Sequence, residues 1–200
     1  MQIENNTNKC AERFFDVLHA YVVLGRPNEA EPYPLPKGYI SYSELLRQGM
    51  ELMVVGHEFG HFNAGHLGDA AWRSMRMLSE AEIYKSHQQE FEADLWGCVL
   101  TLQAMSRKGY DSALSFIGLD LFFSAMVLSE RYRSLLSGIR DEHFEEDESE
   151  SHPSFGARQA FLREAIKHIG GIKEHTASIQ ALCQFYDGAL EHLWKISVRT

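Results

Sequence analysis

Two histidines with a glutamate beside the first constrain this chain more than any other feature: His57-Glu58-Phe59-Gly60-His61. On an α-helix, residues four apart lie about 40° apart around the axis, so His57 and His61 project from one face and can both reach one ion. Neutral imidazoles suit zinc, and a catalytic zinc site keeps one position open for water. Glu58 sits on the adjacent edge of that face, where it can act as general base toward that water. The plainer alternative is a pair of packing or surface histidines. Val54, Val55 and Phe59 predict a mostly buried helix, in which two imidazoles without a shared partner would be costly.

A second stretch supports the metal reading. Glu90 and Asp94 are also four apart on a predicted helix. Glu90 can supply a third ligand, and Asp94 can accept a hydrogen bond from a liganding imidazole and fix its tautomer. Glu92 faces away from Glu90 and cannot share that task. His87, three residues before Glu90, is the rival third ligand. Ala93, Leu95 and Trp96 make this face half-buried rather than a solvated acidic surface. His66 is expected on the far side of its helix from His57, as a helix-end or packing histidine.

The chain reads as helix after helix. Phe14, Phe15, Leu18, Tyr21 and Val22 recur at helical spacing in a first helix over about 7–24, stopped by Gly25 and Pro27. A proline-rich connector follows over 26–37. Ser41 and Glu44 have the spacing of a capping box for the motif helix, which runs to about His66. Further helices are predicted over about 79–107, 111–136, 153–170 and 173–197. Gly38 to Tyr42 offers one short strand. The expected fold is mainly α, a single-domain helical zincin-like bundle around the motif helix with little or no sheet.

The 200 residues suffice for one domain with a true core. The net charge of -9 disfavours nucleic-acid binding. The mostly acidic run Asp141 to Glu150 reads as a solvated loop, or as a flap, since His152 follows it directly. Cys10, Cys98 and Cys183 are scattered and odd in number, which argues against a disulfide framework and suits a reducing compartment. The N-terminus lacks the pattern of a secretory signal, so a cytoplasmic location is expected. The apolar stretch Leu114 to Leu128, interrupted by Asp120, reads as a buried helix too short and too polar to span a membrane.

Three blocks in order resemble the gluzincins of the CAAX-prenyl-protease and HtpX-like type. They are His57-Glu58-Phe59-Gly60-His61-Phe62-Asn63-Ala64-Gly65-His66, then Glu90-Phe91-Glu92-Ala93-Asp94, then His152-Pro153 with Arg158. Phage-exclusion peptidases of the Lit type look similar in the same blocks. The resemblance implies that Glu90 is the third zinc ligand and that Asp94 supports the ligand set. It implies that His152 lies at the mouth of the site, as an oxyanion donor or a resting-state ligand, with Arg158 orienting that segment. The chain departs from this type in two ways. The membrane enzymes carry transmembrane helices, and many gluzincins place a β-sheet before the motif helix; here helix and a proline-rich connector precede it.

The expected function is therefore a zinc-dependent endopeptidase acting on a protein or peptide substrate, with Zn2+ on His57, His61 and Glu90, and with Glu58 and His152 as catalytic groups. Two other readings share the same residues: a zinc-containing binding or regulatory module without catalysis, and a hydrolase acting on a non-peptide amide.

Overall fold

A computed structural model describes residues 2–32, 34–66, 79–146 and 152–198. Six α-helices make up a single all-helical bundle, and the described residues contain no strand. They are α1 (Gln2–Val22), α2 (Ile40–Asn63), α3 (Glu80–Arg107), α4 (Ser112–Leu136), α5 (Phe155–Ala165) and α6 (Thr176–Ser197). The short strand expected at Gly38 to Tyr42 is instead a 3₁₀ turn, Lys37–Tyr39, running straight into α2.

Local chemistry sets the helix ends. Asp111 caps α4 by accepting from the amides of Ala113 (2.9 Å) and Leu114 (3.0 Å), which satisfies donors that no helical carbonyl can reach. Ser154 caps α5 by accepting from Ala157 N–H, so that helix begins two residues after Pro153. The capping box expected at Ser41 and Glu44 does not form: α2 starts after Tyr39, and Glu44 bonds Arg47 and Gln48 farther along its own helix. That pairing is found at α3 instead, where Glu82 accepts from Ser79 N–H at 2.9 Å. The connector over 26–37 is broken by a 3₁₀ turn, Pro27–Glu29.

At the centre lies α4, packed against all five other helices. Phe116, Ile117, Leu119 and Phe123 are fully buried among α2, α3, α5 and α6 side chains. By length and composition α4 is apolar enough to cross a membrane, against the reading of Leu114 to Leu128 as too short and too polar to do so. Here its apolar faces serve as bundle core. A smaller cluster joins α1 to α6, with Leu18 packed on Trp194, Leu128 and Tyr132. Tyr21, expected on the same buried face of α1, is exposed.

The helix carrying the histidines packs through glycine. Its buried stripe is Leu45, Gly49, Met53, Gly56 and Gly60. A Cβ at Gly56 would stand 2.9 Å from Gly97 Cα of α3, and one at Gly49 would stand 2.8 Å from Gly118 Cα of α4. Backbone therefore meets backbone along two sides of α2. The expectation that Val54, Val55 and Phe59 mark a mostly buried helix is overturned: Val55 is 66% exposed, Phe59 49% and Phe62 67%. Small residues take the contact face, which leaves the large apolar ones outward.

Candidate metal centre

Close approach of α2 and α3 puts their polar faces together. Gly60 meets the backbone of Ala93, and Gly56 that of Gly97, each one residue before a histidine of the pair. His57 and His61 of α2 thereby face Glu90 and Asp94 of α3. The two Nε2 atoms are 3.1 Å apart. His57 Nε2 lies 3.6 Å from Glu90 Oε2, and His61 Nε2 lies 3.3 Å from Glu90 Oε1. Four donors at zinc bond lengths of about 2.0–2.1 Å in a tetrahedron would stand about 3.3 Å from one another. Among the described residues, His57, His61 and Glu90 form a group that could hold a metal ion. His87, the rival third ligand, does not belong to it.

Asp94 organises the cluster from beneath. It is fully buried, and its Oδ1 lies 2.9 Å from His57 Nδ1. Arg158 Nη2, a donor, also lies 3.3 Å from that nitrogen, but it gives its proton to Asp94 at 2.7 Å; the closer carboxylate can only accept, which favours the His57 proton on Nδ1 and leaves the Nε2 lone pair toward Glu90. Arg158 reaches in from α5 and grips the same carboxylate with two bonds of 2.7 Å, from Nε to Oδ2 and from Nη2 to Oδ1. Burial works against the Arg158 charge, but its bonds to Asp94 outweigh that cost and raise its pKa. The guanidinium stays ionised and ties α5 to the floor of the site.

The charge pattern fits a cation. Arg158 Nη1 stands 3.2 Å from Glu90 Oε2, yet that buried oxygen has no hydrogen-bond partner among the described residues. Arg158 offsets the charge of that carboxylate but makes no hydrogen bond to this oxygen, and a cation among the three donors would complete it. His61 is pushed below the ordinary imidazole value, chiefly by burial, with Glu90 opposing, so it is held neutral as a ligand must be.

Beside His57 and Glu90 lies a cavity of about 190 Å³, lined as well by Val54, Glu58, Phe122 and His152; His61 stands outside its lining. Glu58 thus borders the same space as His57 and Glu90. His152 Nε2 stands 3.6 Å from Glu90 Oε1, and its side chain is 57% exposed, against 14% for His57 and 16% for His61. The structure brings together all seven residues singled out in the sequence: His57, Glu58, His61, Glu90, Asp94, His152 and Arg158.

Two expectations need correction. His66 does not lie across the helix from the motif. α2 stops at Asn63, Gly65 takes φ +74°, and the chain folds His66 back until its Nδ1 is 3.0 Å from His61 Nδ1. Glu92, set aside because it faces away from Glu90, lies 3.3 Å from His66 Nε2. The acidic run is not wholly solvated either. Asp141 is held by Arg131 and accepts from Trp194 Nε1–H at 3.0 Å, and Glu146 accepts from Gly156 N–H at 2.6 Å. The part of the run over 147–150, on which the flap expectation rests, lies outside the described residues.

No protein-family model matches the chain, and no curated protein or solved structure matches it either.

Proposed function

We propose that this chain is a zinc-dependent peptidase of the gluzincin kind, cutting peptide bonds in a protein or peptide substrate. The observation that carries this reading is the donor set itself. His57, His61 and Glu90 converge within 4.8 Å of one another, with Glu58 and His152 beside them on the cavity side. Three protein donors with one side left to a cavity is the pattern of a catalytic rather than a structural zinc site. A base at Glu58 would have no task in a structural one.

Zinc bound there supplies Lewis acidity toward a carbonyl and brings the pKa of a water to near neutrality. The chain's own residues do the rest. Asp94 and Arg158 hold His57 in the tautomer that presents Nε2. The Glu58 carboxylate takes the proton from the attacking water and delivers it to the leaving amine nitrogen. His152 donates a hydrogen bond to the substrate oxygen as it gains negative charge. Val54 and Phe122 keep one wall of the cavity apolar, which limits water around the reacting bond.

The test is Glu58→Gln beside His61→Ala, with metal content and cleavage of a fluorogenic peptide library measured on each. Glu58→Gln should retain its zinc while turnover falls by about 10²–10⁴-fold, the usual range for loss of a general base. His61→Ala should lose the zinc. Full turnover by zinc-loaded Glu58→Gln removes the role given to Glu58. A wild type that keeps its metal and cleaves nothing in the library overturns the peptidase reading in favour of a binding module.

A further inference from the structure

We propose that His66 and Glu92 are positioning residues for the second metal-binding histidine: together they fix His61 in the tautomer that aims its Nε2 lone pair into the centre. The inference rests on the metal reading above and extends it to two residues outside the HExxH and Glu-x-x-x-Asp patterns.

The argument follows from which atoms can donate. His61 Nδ1 and His66 Nδ1 are 3.0 Å apart. Only one of two such nitrogens can carry the proton between them, and geometry alone does not say which. Glu92 breaks the tie. Its Oε2 lies 3.3 Å from His66 Nε2, a charge contact in which a carboxylate favours the proton on the facing ring nitrogen. A neutral His66 therefore carries its proton on Nε2, leaving Nδ1 as an acceptor. Glu90 Oε1, 3.3 Å from His61 Nε2, competes for the proton, but the shorter 3.0 Å contact with His66 draws it to His61 Nδ1 and leaves Nε2 as a lone pair facing His57 and Glu90. The order is His61 to His66 to Glu92: the first donates to the second, whose Nε2–H faces the third.

This arm mirrors the other one. His57 donates from Nδ1 to Asp94, which Arg158 holds. With both arms in place, two lone pairs point at each other across 3.1 Å. That contact repels unless a cation lies between them, so the two arms together create a demand for a positive ion. Burial helps to keep this second arm in place: the His66 side chain is only 9% exposed, and its ring stands edge-on to His61 with centroids 5.2 Å apart. The left-handed turn at Gly65 is what returns His66 to this position, and L side chains rarely adopt that φ.

Two measurements test the assignment. The first uses the unaltered, metal-free chain, with ¹⁵N-labelled histidine NMR at about pH 8.5, two units above the ordinary imidazole value. His61 should be the Nδ1–H tautomer and His66 the Nε2–H tautomer. The second is zinc affinity by competition with a chromophoric chelator. His66→Phe, which keeps the ring and removes the acceptor, should weaken zinc binding by about 10–100-fold. His66→Gln, which restores an acceptor oxygen, should recover part of that loss. Glu92→Ala should weaken zinc binding in the wild-type background and have no effect once His66 is Phe. An Nε2–H tautomer at His61, unchanged zinc affinity in a folded His66→Phe, or a Glu92→Ala effect that persists without His66 would overturn the proposal. If His66→Phe does not fold, the tautomers of the unaltered chain decide. A wild type that shows the expected tautomers but takes up no zinc supports the relay and overturns the metal reading alone.

Discussion

At the level of single residues, the centre depends on one buried cation of its own. Arg158 faces two carboxylates, Asp94 with none of its surface exposed and Glu90 nearly so. Arg158→Ala would leave both as buried charges with their guanidinium gone, and breaking a buried pair in this way costs about 3–5 kcal/mol. Denaturant unfolding of the metal-free variant should show a loss of that size. The zinc-loaded variant should lose less, because the ion supplies Glu90 with a positive partner. Arg158→Lys should fall between the two, since an ammonium cannot grip both oxygens of Asp94 as a planar fork does. Helical spacing was enough to nominate His57, His61, Glu90 and Asp94 from sequence. It could not nominate Arg158, which stands 64 residues from Asp94 and was reached only through a resemblance. His66 was misplaced because the helix was carried on through Gly65, where the backbone in fact reverses hand.

Among the elements, α2 is the one whose fit matters most. Hydrophobic periodicity looks for large apolar side chains on the buried face, and α2 buries glycines there, so Val54, Val55 and Phe59 misled the reading of which side faces in. The helices themselves were legible. All six were expected, with ends displaced by up to about five residues where caps and turns act, as at Ser154 and Gly65. Gly56→Ala would push a methyl to 2.9 Å from Gly97 Cα, a backbone atom that cannot step aside. The expected cost is about 1–3 kcal/mol, from overpacking that parts α2 from α3, together with weaker zinc binding. Gly188→Ala on α6 is the control: nothing lies within 4 Å of the added carbon, so it should stabilise by about 0.5–1 kcal/mol. Thermal denaturation and a zinc titration of both variants distinguish these outcomes.

Across the whole molecule, the candidate metal centre would be a clasp between helices that already pack. α2, α3 and α4 meet by direct contact, and α5 is joined to them through Arg158. Zinc should therefore add to stability rather than create the fold: about 2.7 kcal/mol at a free concentration one hundred times Kd. Melting curves with zinc and with chelator should differ accordingly, and His61→Ala should show no such difference. The all-helical class was plain from the chain's repeating helix signals. Apart from α2 with α3, which the ligand spacing joins, which helices would touch was not, because pairings such as α1 with α6 join distant parts of the sequence and leave no local mark.

One feature of the site's mouth governs traffic. The three donors are shielded on the helix side, while the His152 side is open to solvent. Among the described residues, an ion held there would exchange past His152 while every helix stays in register. Such loading and stripping would ask one exposed side chain to swing aside and no helix to unwind, which suits a chain that is emptied and refilled rather than folded anew around each ion.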